Sequence, residues 1–399
     1  MAHHREQFSV PGRRGLIDKA GFTAPSHRRD MPPLITAVSA TAQGLPVNLF
    51  TMDNGQLRVV VTDLGARLLL VHVPDRTGEL ADVVLARASL DDLIGDETFM
   101  GATAGRCANR IREGRLAIDG QEHLLTCNEG RNQVHGGTRG FDQYPWTTRQ
   151  EGDQDAISFS RFSPDGEEGF PGELSTQVRY TLTGRCLDIE ITATTDRPTI
   201  ANVVNHAYFN MAGHASGTVL DQLLQLDASF YTPVNDELLP TGEILSVEGT
   251  PFDSRTPTPI GQSMGGPQRS DASDTTTRGA GYDHNWVLAG SGFRLVGSLT
   301  DPASGRQLRL WTDQPGVQVY AGGYLEGTSA KRPAGAHAAF AGLALETQTF
   351  PDSPNIAHFP QRVLRPGETY RHRIRYEFSV ASPAPSFRLP RLGSARLDV

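Results

Sequence analysis

Short runs in which apolar and polar residues alternate recur along this chain, and glycine-rich turns separate them. Such a period of two residues places successive side chains on opposite faces of a β-strand. In segment 177–195, alternate apolar residues share one face up to a turn at Gly184 and share one face again after it, which is typical of a hairpin. Long amphipathic helical periods do not occur in the sequence. The pattern predicts an all-β fold.

Other segments carry the same signal. Segment 56–86 contains three aliphatic runs split by turn residues, which predicts a meander. Segment 115–125 alternates around Asp119 and Gly120, the strongest short hairpin signal in the chain. A serine and a glycine bound 89–95, which predicts a short polar helix there. Further alternation occurs at 306–312, 317–323 and 370–380.

The length of 399 residues, with 38% hydrophobic residues, is enough for one large all-β domain or two ordinary ones. Residues 1–35 are rich in His, Arg, Pro and Gly and show no period, so we expect a disordered arm, with translation starting at Met1 or at Met31. Residues 36–381 form the predicted folded region, followed by a loose tail at 382–399. The Gly-, Ser-, Thr- and Asp-rich stretch 262–281 predicts a mobile surface loop, and whether it gates a site stays open.

The charge pattern argues against a nucleic acid partner. The chain has 37 basic and 45 acidic residues, a formal charge of −8, and no long run of one sign in its central part. Its three cysteines lack a CxxC spacing, so neither a disulfide framework nor a zinc site is indicated. No apolar run is long enough to span a membrane, and the N-terminus lacks the apolar middle of a signal peptide. These features favour a cytoplasmic protein that binds a neutral small molecule.

Two distant segments contain candidate catalytic residues. Glu346 lies in the apolar, strand-like run 341–350, where a carboxylate is costly to bury unless it is paired. His206 lies among asparagines and aromatic residues in segment 202–213, and it can exchange a proton near neutral pH. Alone, Glu346 could face solvent on an alternating strand and His206 could be structural. Together they suit general acid/base catalysis, if the fold brings them to opposite sides of one substrate.

Seven motifs, in this order, resemble the galactose mutarotase (aldose 1-epimerase) family. They are GRCANRI, NQVHGGTRGFDQYPW, NVVNHAYFNMAG, GYDHNWVL, PGVQVYAGGYL, GLALETQTFPDSPN and LRPGETYRHRIRYEFS, and they extend from about residue 48 to residue 380. The resemblance implies a single domain, a large antiparallel β-sandwich known as a supersandwich, whose concave face holds an open sugar site. Ala207, where the family often has a small hydroxyl residue, and Gly323, where asparagine is common, depart from the pattern.

The resemblance also implies roles for individual residues. Glu346 matches the family's general base and His206 its general acid. Residues matched to sugar binding are Asn109, Arg110, His135, Tyr208, Asp283 and Gln318. The implied reaction interconverts the α and β anomers of free hexoses such as galactose and glucose. Two positioned proton-transfer groups suffice for it, so no metal or organic cofactor is expected.

Several alternatives stay open from the sequence. Arg110 and Asp283 could form a structural ion pair, Asn109 could form a turn, and His135 and Gln318 could be ordinary polar residues of a loop and a strand edge. Arginines near the His135 loop, Arg131 and Arg139, keep a hexose 6-phosphate substrate in view. A non-catalytic sugar-binding module of the same fold is the third interpretation. The protein could be a monomer or a homodimer.

Overall fold

A computed structural model describes residues 34–151, 156–263, 281–360 and 363–381. The predicted loose tail and nearly all of the predicted arm and of the loop 262–281 lie outside these ranges. The first strand begins at Leu34, two residues inside the predicted arm 1–35, because residues 34–42 pair with the next strand along their whole length. The folded region therefore starts slightly earlier than the composition suggested.

Strands make up most of the described chain, which confirms the all-β prediction. In chain order they are β1 Leu34–Ala42, β2 Leu45–Asp53, β3 Arg58–Thr62, β4 Arg67–Pro74, β5 Leu80–Asp82, β6 Thr103–Ala104, β7 Arg110–Ile111, β8 Arg115–Ile118, β9 Gln121–Leu124, β10 Gln133–Val134, β11 Thr147–Glu151, β12 Ala156–Ser163, β13 Leu174–Thr183, β14 Cys186–Thr195, β15 Thr199–Ile200, β16 Val204–Asn205, β17 Tyr208–Phe209, β18 Leu223–Leu226, β19 Phe230–Thr232, β20 Leu245–Ser246, β21 Thr258–Pro259, β22 Asp283–Val287, β23 Arg294–Thr300, β24 Arg306–Thr312, β25 Gly316–Tyr320, β26 Leu343–Gln348, β27 Val363–Leu364 and β28 Tyr370–Val380.

Helical segments in the described residues are short. The one α-helix found in the described residues, α1, is Ile260–Ser263. Single 3₁₀ turns occur at Asp91–Leu93, Arg112–Gly114, Phe141–Gln143, Glu167–Gly169, Gly323–Leu325 and Ser353–Asn355. In place of the polar helix predicted at 89–95, the structure has the single 3₁₀ turn Asp91–Leu93. The helical segment is therefore shorter than the capping residues predicted. A helix long and apolar enough to cross a membrane does not occur in the described residues.

Three antiparallel sheets form the body of the fold. The first has five strands in the order β1-β2-β3-β4-β5, and its last three are the predicted meander. The second has nine strands in the order β11-β12-β13-β14-β28-β24-β23-β18-β21, and the third has six in the order β17-β26-β25-β22-β19-β20. Side chains of all three sheets, such as Val61, Ile189 and Leu345, enter one hydrophobic cluster. This shared core makes the described chain one unit.

Both hairpins predicted from local alternation are present. β13 and β14 pair over their full length around Gly184, and the alternate apolar residues of β13 and β14 lie in the core. β8 and β9 pair around Asp119 and Gly120, both of which have positive φ angles, as a tight hairpin turn requires. Local turn chemistry therefore determines these two elements.

Candidate active site

Strands of the six-stranded sheet bring the distant motifs together. Leu343 and Leu345 of β26 point into the core, so Glu346 lies on the opposite face of that strand. β26 pairs with β17, which carries Tyr208, on one side and with β25, which carries Gln318, on the other. The neighbouring strand β22 begins at Asp283. Four of the predicted site residues thus come from adjacent strands.

A cleft of about 1520 Å³ opens on this face of the sheet. Seven of the eight predicted site residues line it: Asn109, Arg110, His135, His206, Tyr208, Asp283 and Glu346. Arg110 reaches the cleft from β7. His135 directly follows β10, the strand that pairs with β7. The exception is Gln318, which is buried next to the cleft without lining it.

The side chains of His206 and Glu346 are both buried, and they are adjacent in the cleft. His206 Nε2 lies 3.5 Å from Glu346 Oε1. Two backbone hydrogen bonds hold the His206 segment, His206 N–H to Ala102 O at 2.8 Å and Gly101 N–H to His206 O at 2.9 Å. The two groups, predicted from the sequence to lie on opposite sides of a substrate, lie side by side. This suits a pair that acts on two oxygens attached to one carbon.

Each member of the pair keeps one polar atom without a partner in the described chain. These atoms are Oε2 of Glu346 and Nδ1 of His206, and neither has a hydrogen bond to another residue among those described. Buried polar atoms are nearly always hydrogen-bonded, so the unpartnered carboxylate oxygen of Glu346, a residue that lines the cleft, points to a ligand. A ligand with a hydrogen-bonding group at this position of the cleft would satisfy that oxygen.

Burial shifts the proton affinities of both groups toward their neutral forms. Burial, reinforced by Asp283 and opposed by Arg110, raises the pKa of the Glu346 carboxyl well above its ordinary value. Burial lowers the pKa of His206 to about 4. Burial therefore favours the arrangement in which a proton shared by the pair lies on the carboxyl rather than on the imidazole.

Arg110, Asp283 and Gln318 form a connected polar group at the side of the cleft. Arg110 Nε and Nη2 donate to the two carboxylate oxygens of Glu129 at 2.6 and 2.8 Å, and Arg110 Nη1 lies 3.6 Å from Asp283 Oδ2. Gln318 Nε2 donates to Asp283 Oδ1 at 2.6 Å. The suggested Arg110–Asp283 ion pair exists, yet both residues also line the cleft. Gln318, which the resemblance matched to sugar binding, donates its amide to Asp283 in this group.

His135 is neutral, and its tautomer is determined by the backbone. Burial, with smaller effects of His206 and Arg110, lowers its pKa well below the ordinary value. Asn109 N–H donates to His135 Nδ1 at 3.3 Å, so the ring proton lies on Nε2 and His135 acts as a donor. Both residues have positive φ angles, 62° at Asn109 and 50° at His135, which allow the two backbone segments to meet in this way.

His135, His206 and Glu346 also form a group that the sequence analysis did not find. One potential ligand atom from each lies within 4.8 Å of the others. Two histidines and a carboxylate are a common metal-binding set. Here Nδ1 of His135 accepts a backbone N–H and its Nε2 carries the proton, so neither nitrogen offers a lone pair to a cation. The group fits proton transfer better than metal binding.

Comparison with known proteins assigns the family. The profile of the family described as aldose 1-epimerase matches residues 48–377. The chain belongs to the aldose 1-epimerase family. Human galactose mutarotase is 40% identical over 339 residues, which cover 85% of this chain and 96% of the relative. Escherichia coli aldose 1-epimerase is 36% identical over 341 residues, covering 84% and 96%.

Solved structures from the same family have a similar fold. Galactose 1-epimerase from Lactobacillus acidophilus is 27% identical, with a TM-score of 0.76, and the match covers 88% of this chain and all of that one. The aldose epimerase homologue from C. elegans is 30% identical, with a TM-score of 0.75 and coverage of 88% and 100%. The implied single-domain supersandwich is thereby confirmed as the fold of this aldose 1-epimerase family member.

Phe99 and Glu129 line the cleft of this family member, although the sequence analysis did not single them out. The Phe99 ring centroid lies 4.5 Å from that of His135 and 6.0 Å from that of His206. Glu129 holds the Arg110 guanidinium with two hydrogen bonds. Phe99 precedes Met100 and Gly101 in a turn with no periodic signal, so a pattern search could not find it. Glu129 lies just before the motif that begins at Asn132, and its position in the sequence shows no pattern that would mark it as a site residue.

Proposed function

We propose that this protein is an aldose 1-epimerase that interconverts the anomers of free, unphosphorylated hexoses such as galactose and glucose. The observation that carries the proposal is the adjacent pair of Glu346 and His206, 3.5 Å apart, both of which line the cleft. Membership of the aldose 1-epimerase family supports the reaction type. The names of the human and bacterial relatives support the sugar class.

In the proposed reaction the pair shares one proton throughout. With the sugar ring closed, the Glu346 carboxylate removes the proton of the anomeric hydroxyl and the His206 imidazolium protonates the ring oxygen. The bond between the anomeric carbon and the ring oxygen breaks, leaving an open-chain aldehyde beside a protonated carboxyl and a neutral imidazole. After rotation of the aldehyde group, the same two transfers run in reverse and close the ring to the other anomer.

The proton affinities support this cycle. Burial favours the neutral pair, which is the form that accompanies the open-chain aldehyde. Burial disfavours the ion pair that accompanies the closed ring, so part of the energy of sugar binding goes into forming it. Both forms carry the same number of protons. The pair can therefore alternate between them in every turnover without exchange with solvent.

The remaining residues bind the sugar in this proposal. Arg110 and Asp283 offer a donor and an acceptor for hydroxyls remote from the anomeric carbon, and Asn109 lies beside them. The Nε2–H of His135 donates to an oxygen of the sugar near the reacting centre. Tyr208 donates its hydroxyl to Thr98 O at 3.1 Å, so it contributes mainly its ring to the cleft wall. Directional contacts of this kind keep the open-chain form in place while one bond rotates.

The charge of the cleft argues against a hexose 6-phosphate. Eight acidic side chains and three arginines line it in the described residues. Arg131 is held by Glu237 and Glu113 outside the cleft, and Arg139 packs 4.2 Å from the centroid of the Tyr144 ring. A phosphate dianion would meet net negative charge and few available cations. A neutral sugar faces no such repulsion.

A cytoplasmic location and a monomeric or homodimeric state complete the proposal. All three cysteines are free: Cys107 is buried, Cys186 half-buried and Cys127 exposed. An exposed free thiol persists best in a reducing compartment. Gel filtration with light scattering measures the oligomeric state directly.

Polarimetry tests the proposed activity. Freshly dissolved α-D-galactose and α-D-glucose should reach the equilibrium rotation much faster with the protein than without it, and α-D-glucose 6-phosphate should be accelerated far less. The Glu346→Gln variant at the same concentration serves as the control. If no sugar is accelerated at high protein concentration while calorimetry detects hexose binding, the chain is a non-catalytic sugar-binding module.

A further inference from the structure

No other residue in the described part of the chain hydrogen-bonds the His206 ring on the side away from Glu346. A catalytic imidazole is usually oriented by the partner of its second ring nitrogen. His206 Nδ1 has no such partner in another residue of the described chain. Aromatic neighbours surround the ring instead: Phe99 with centroids 6.0 Å apart, His135 at 5.1 Å and Tyr208 at 5.0 Å. Packing therefore has to supply the orientation that a hydrogen bond supplies elsewhere.

Among these neighbours, Phe99 contacts both imidazoles and takes no proton itself. Its ring lies 4.5 Å from the His135 centroid, with 42° between the ring planes, and the distance and angle to His206 are 6.0 Å and 33°. Centroid separations of 4.5–7 Å are those of favourable aromatic contacts. The ring also lines the cleft. Phe99 thus lies at the point where both histidines meet the cleft wall.

The backbone at Phe99 is in an unfavourable conformation that the surrounding turn maintains. Its φ angle is 54°, in the left-handed region that bulky residues rarely occupy. Thr98 donates to Asp96 Oδ1 through both its N–H and its hydroxyl, at 3.0 and 2.6 Å, and Thr98 O accepts the Tyr208 hydroxyl. Gly101, two residues after Phe99, also has positive φ, and a Cβ there would lie 1.9 Å from Leu68 O.

A glycine would occupy the Phe99 position without backbone strain, yet the chain has a phenylalanine there. Its side chain is only partly buried, so core packing alone does not explain the choice. We propose that Phe99 is a positioning residue: its ring fixes the orientation of the His206 and His135 imidazoles and excludes water from the acid/base pair. The inference rests on the proposed epimerase reaction, which it deepens by adding a residue that acts through the histidines.

Water exclusion gives the proposal a pH signature. Burial is the main cause that holds the pKa of His206 at about 4. The charged and titratable groups around this imidazole are Glu346, His135, Tyr208, Asp283, Asp96 and Arg67. Replacing Phe99 removes none of these groups and adds no charge. Removal of the ring therefore raises the His206 pKa toward 6.5, and the acid limb of kcat/KM moves upward with it.

The test compares Phe99→Gly with Phe99→Tyr and with a matched control, Phe340→Gly. Phe340 is also a partly buried phenylalanine with positive φ, 61°, but it packs on the core and does not line the cleft. Phe99→Gly should lower kcat by about 10- to 100-fold, with KM changed less than about threefold, because the misplaced imidazole affects the transition state more than binding. Phe99→Tyr should restore kcat to within about threefold of wild type. Phe340→Gly should leave kcat and the acid limb unchanged.

Nitrogen NMR of the His206 ring, assigned with His206→Asn, supplies a readout independent of turnover. The pKa should rise in Phe99→Gly and remain low in Phe340→Gly. A wild-type kcat together with an unshifted His206 pKa in folded Phe99→Gly overturns the proposal. Equal losses of kcat and thermal midpoint in both glycine variants overturn it as well, since that pattern is merely structural. A wild-type protein without mutarotase activity defeats the proposed function, and the NMR titration still decides the role of Phe99.

Discussion

Two pairs of buried ionisable groups, Glu346 with His206 and Asp82 with Lys331, differ in how completely their hydrogen bonds are satisfied. Asp82 Oδ1 accepts the backbone N–H groups of Val71 and Val84, both at 3.1 Å, and its Oδ2 accepts from Lys331. Lys331 Nζ also donates to a backbone carbonyl, Leu69 O, at 2.9 Å. In the other pair, Glu346 Oε2 and His206 Nδ1 have no partner in another described residue.

Burial therefore does not distinguish these two pairs, whereas the satisfaction of their hydrogen bonds does. A buried pair with all its partners holds strands and loops together, and Lys331 attaches the segment after β25 to the first sheet in this way. A buried pair with unsatisfied polar atoms lowers the stability of the folded protein. Such a cost is typical of sites whose missing partner is a ligand.

The largest expected effect is the loss of turnover when the acid/base pair is changed. Glu346→Gln and His206→Asn should each lower kcat by about 10²- to 10⁴-fold, because each removes one proton-transfer group. Neither should lower the thermal midpoint, since each replaces an unsatisfied ionisable group by a neutral one. Polarimetry and thermal denaturation measure the two quantities. Near-normal turnover in either folded variant would mean that other residues carry the chemistry.

The satisfied pair should respond in the opposite way. Lys331→Met should lower the free energy of unfolding by about 3–5 kcal/mol, because it leaves the Asp82 carboxylate buried without its cation. The value of kcat measured on the remaining folded protein should stay close to wild type. Urea denaturation measures the change.

The matched control for Lys331→Met is Arg365→Met. Arg365 forms two hydrogen bonds with Asp119, at 2.8 and 2.7 Å, on the exposed surface of the protein. Because solvent screens such a pair, its loss should not change the urea midpoint measurably. If both variants lose the same stability, burial and satisfaction do not distinguish the two ion pairs.

The pH dependence of stability should separate the pairs more finely. The folded-state pKa of His206, about 4, lies below its ordinary value of 6.5, so the unfolded chain binds a proton there that the folded chain does not. Stability contributed by this group is therefore lost as pH falls from about 6.5 toward about 4, by about 1.4 kcal/mol for each unit of pKa difference. In His206→Asn, the urea midpoint should depend less steeply on pH in this range. An unchanged slope would mean that the His206 pKa is ordinary.

Much of the fold was predictable because its signals are local. The hairpins around Gly184 and Asp119–Gly120 follow from alternation and turn residues within about twenty positions. Pairing between distant segments was not predictable, since period-two patterns are alike in every strand. Nothing in segment 370–380 indicates that β28 lies between β14 and β24. The first two strands were missed because no turn signal of comparable strength separates them from the arm.

The candidate site was predictable from motif resemblance only as a set of residues. Which atoms are in contact depends on strand register. The register pairs Gln318 with Glu346 on neighbouring strands, while the Gln318 amide donates to Asp283. The side-by-side arrangement of Glu346 and His206 likewise depends on how β26 approaches the loop before β17. Phe99 could not be found at all, because a left-handed phenylalanine has no sequence signature. The distances between site residues depend on the whole fold, whereas their residue types can be read from the sequence.

The smallest expected effect concerns Gln318, a satisfied polar residue next to the unsatisfied pair. Its amide donates to Asp283 Oδ1 at 2.6 Å and accepts from Gln348 Nε2 at 3.4 Å. In Gln318→Leu, Asp283 keeps its contact with Arg110 and gains access to cleft water, so KM for galactose should rise by only about two- to tenfold with kcat unchanged. Steady-state polarimetry over a range of sugar concentrations separates the two constants. A loss of kcat as large as that of Glu346→Gln would place Gln318 in contact with the reacting sugar, and hydrogen-bond satisfaction would then fail as a criterion for function in this cleft.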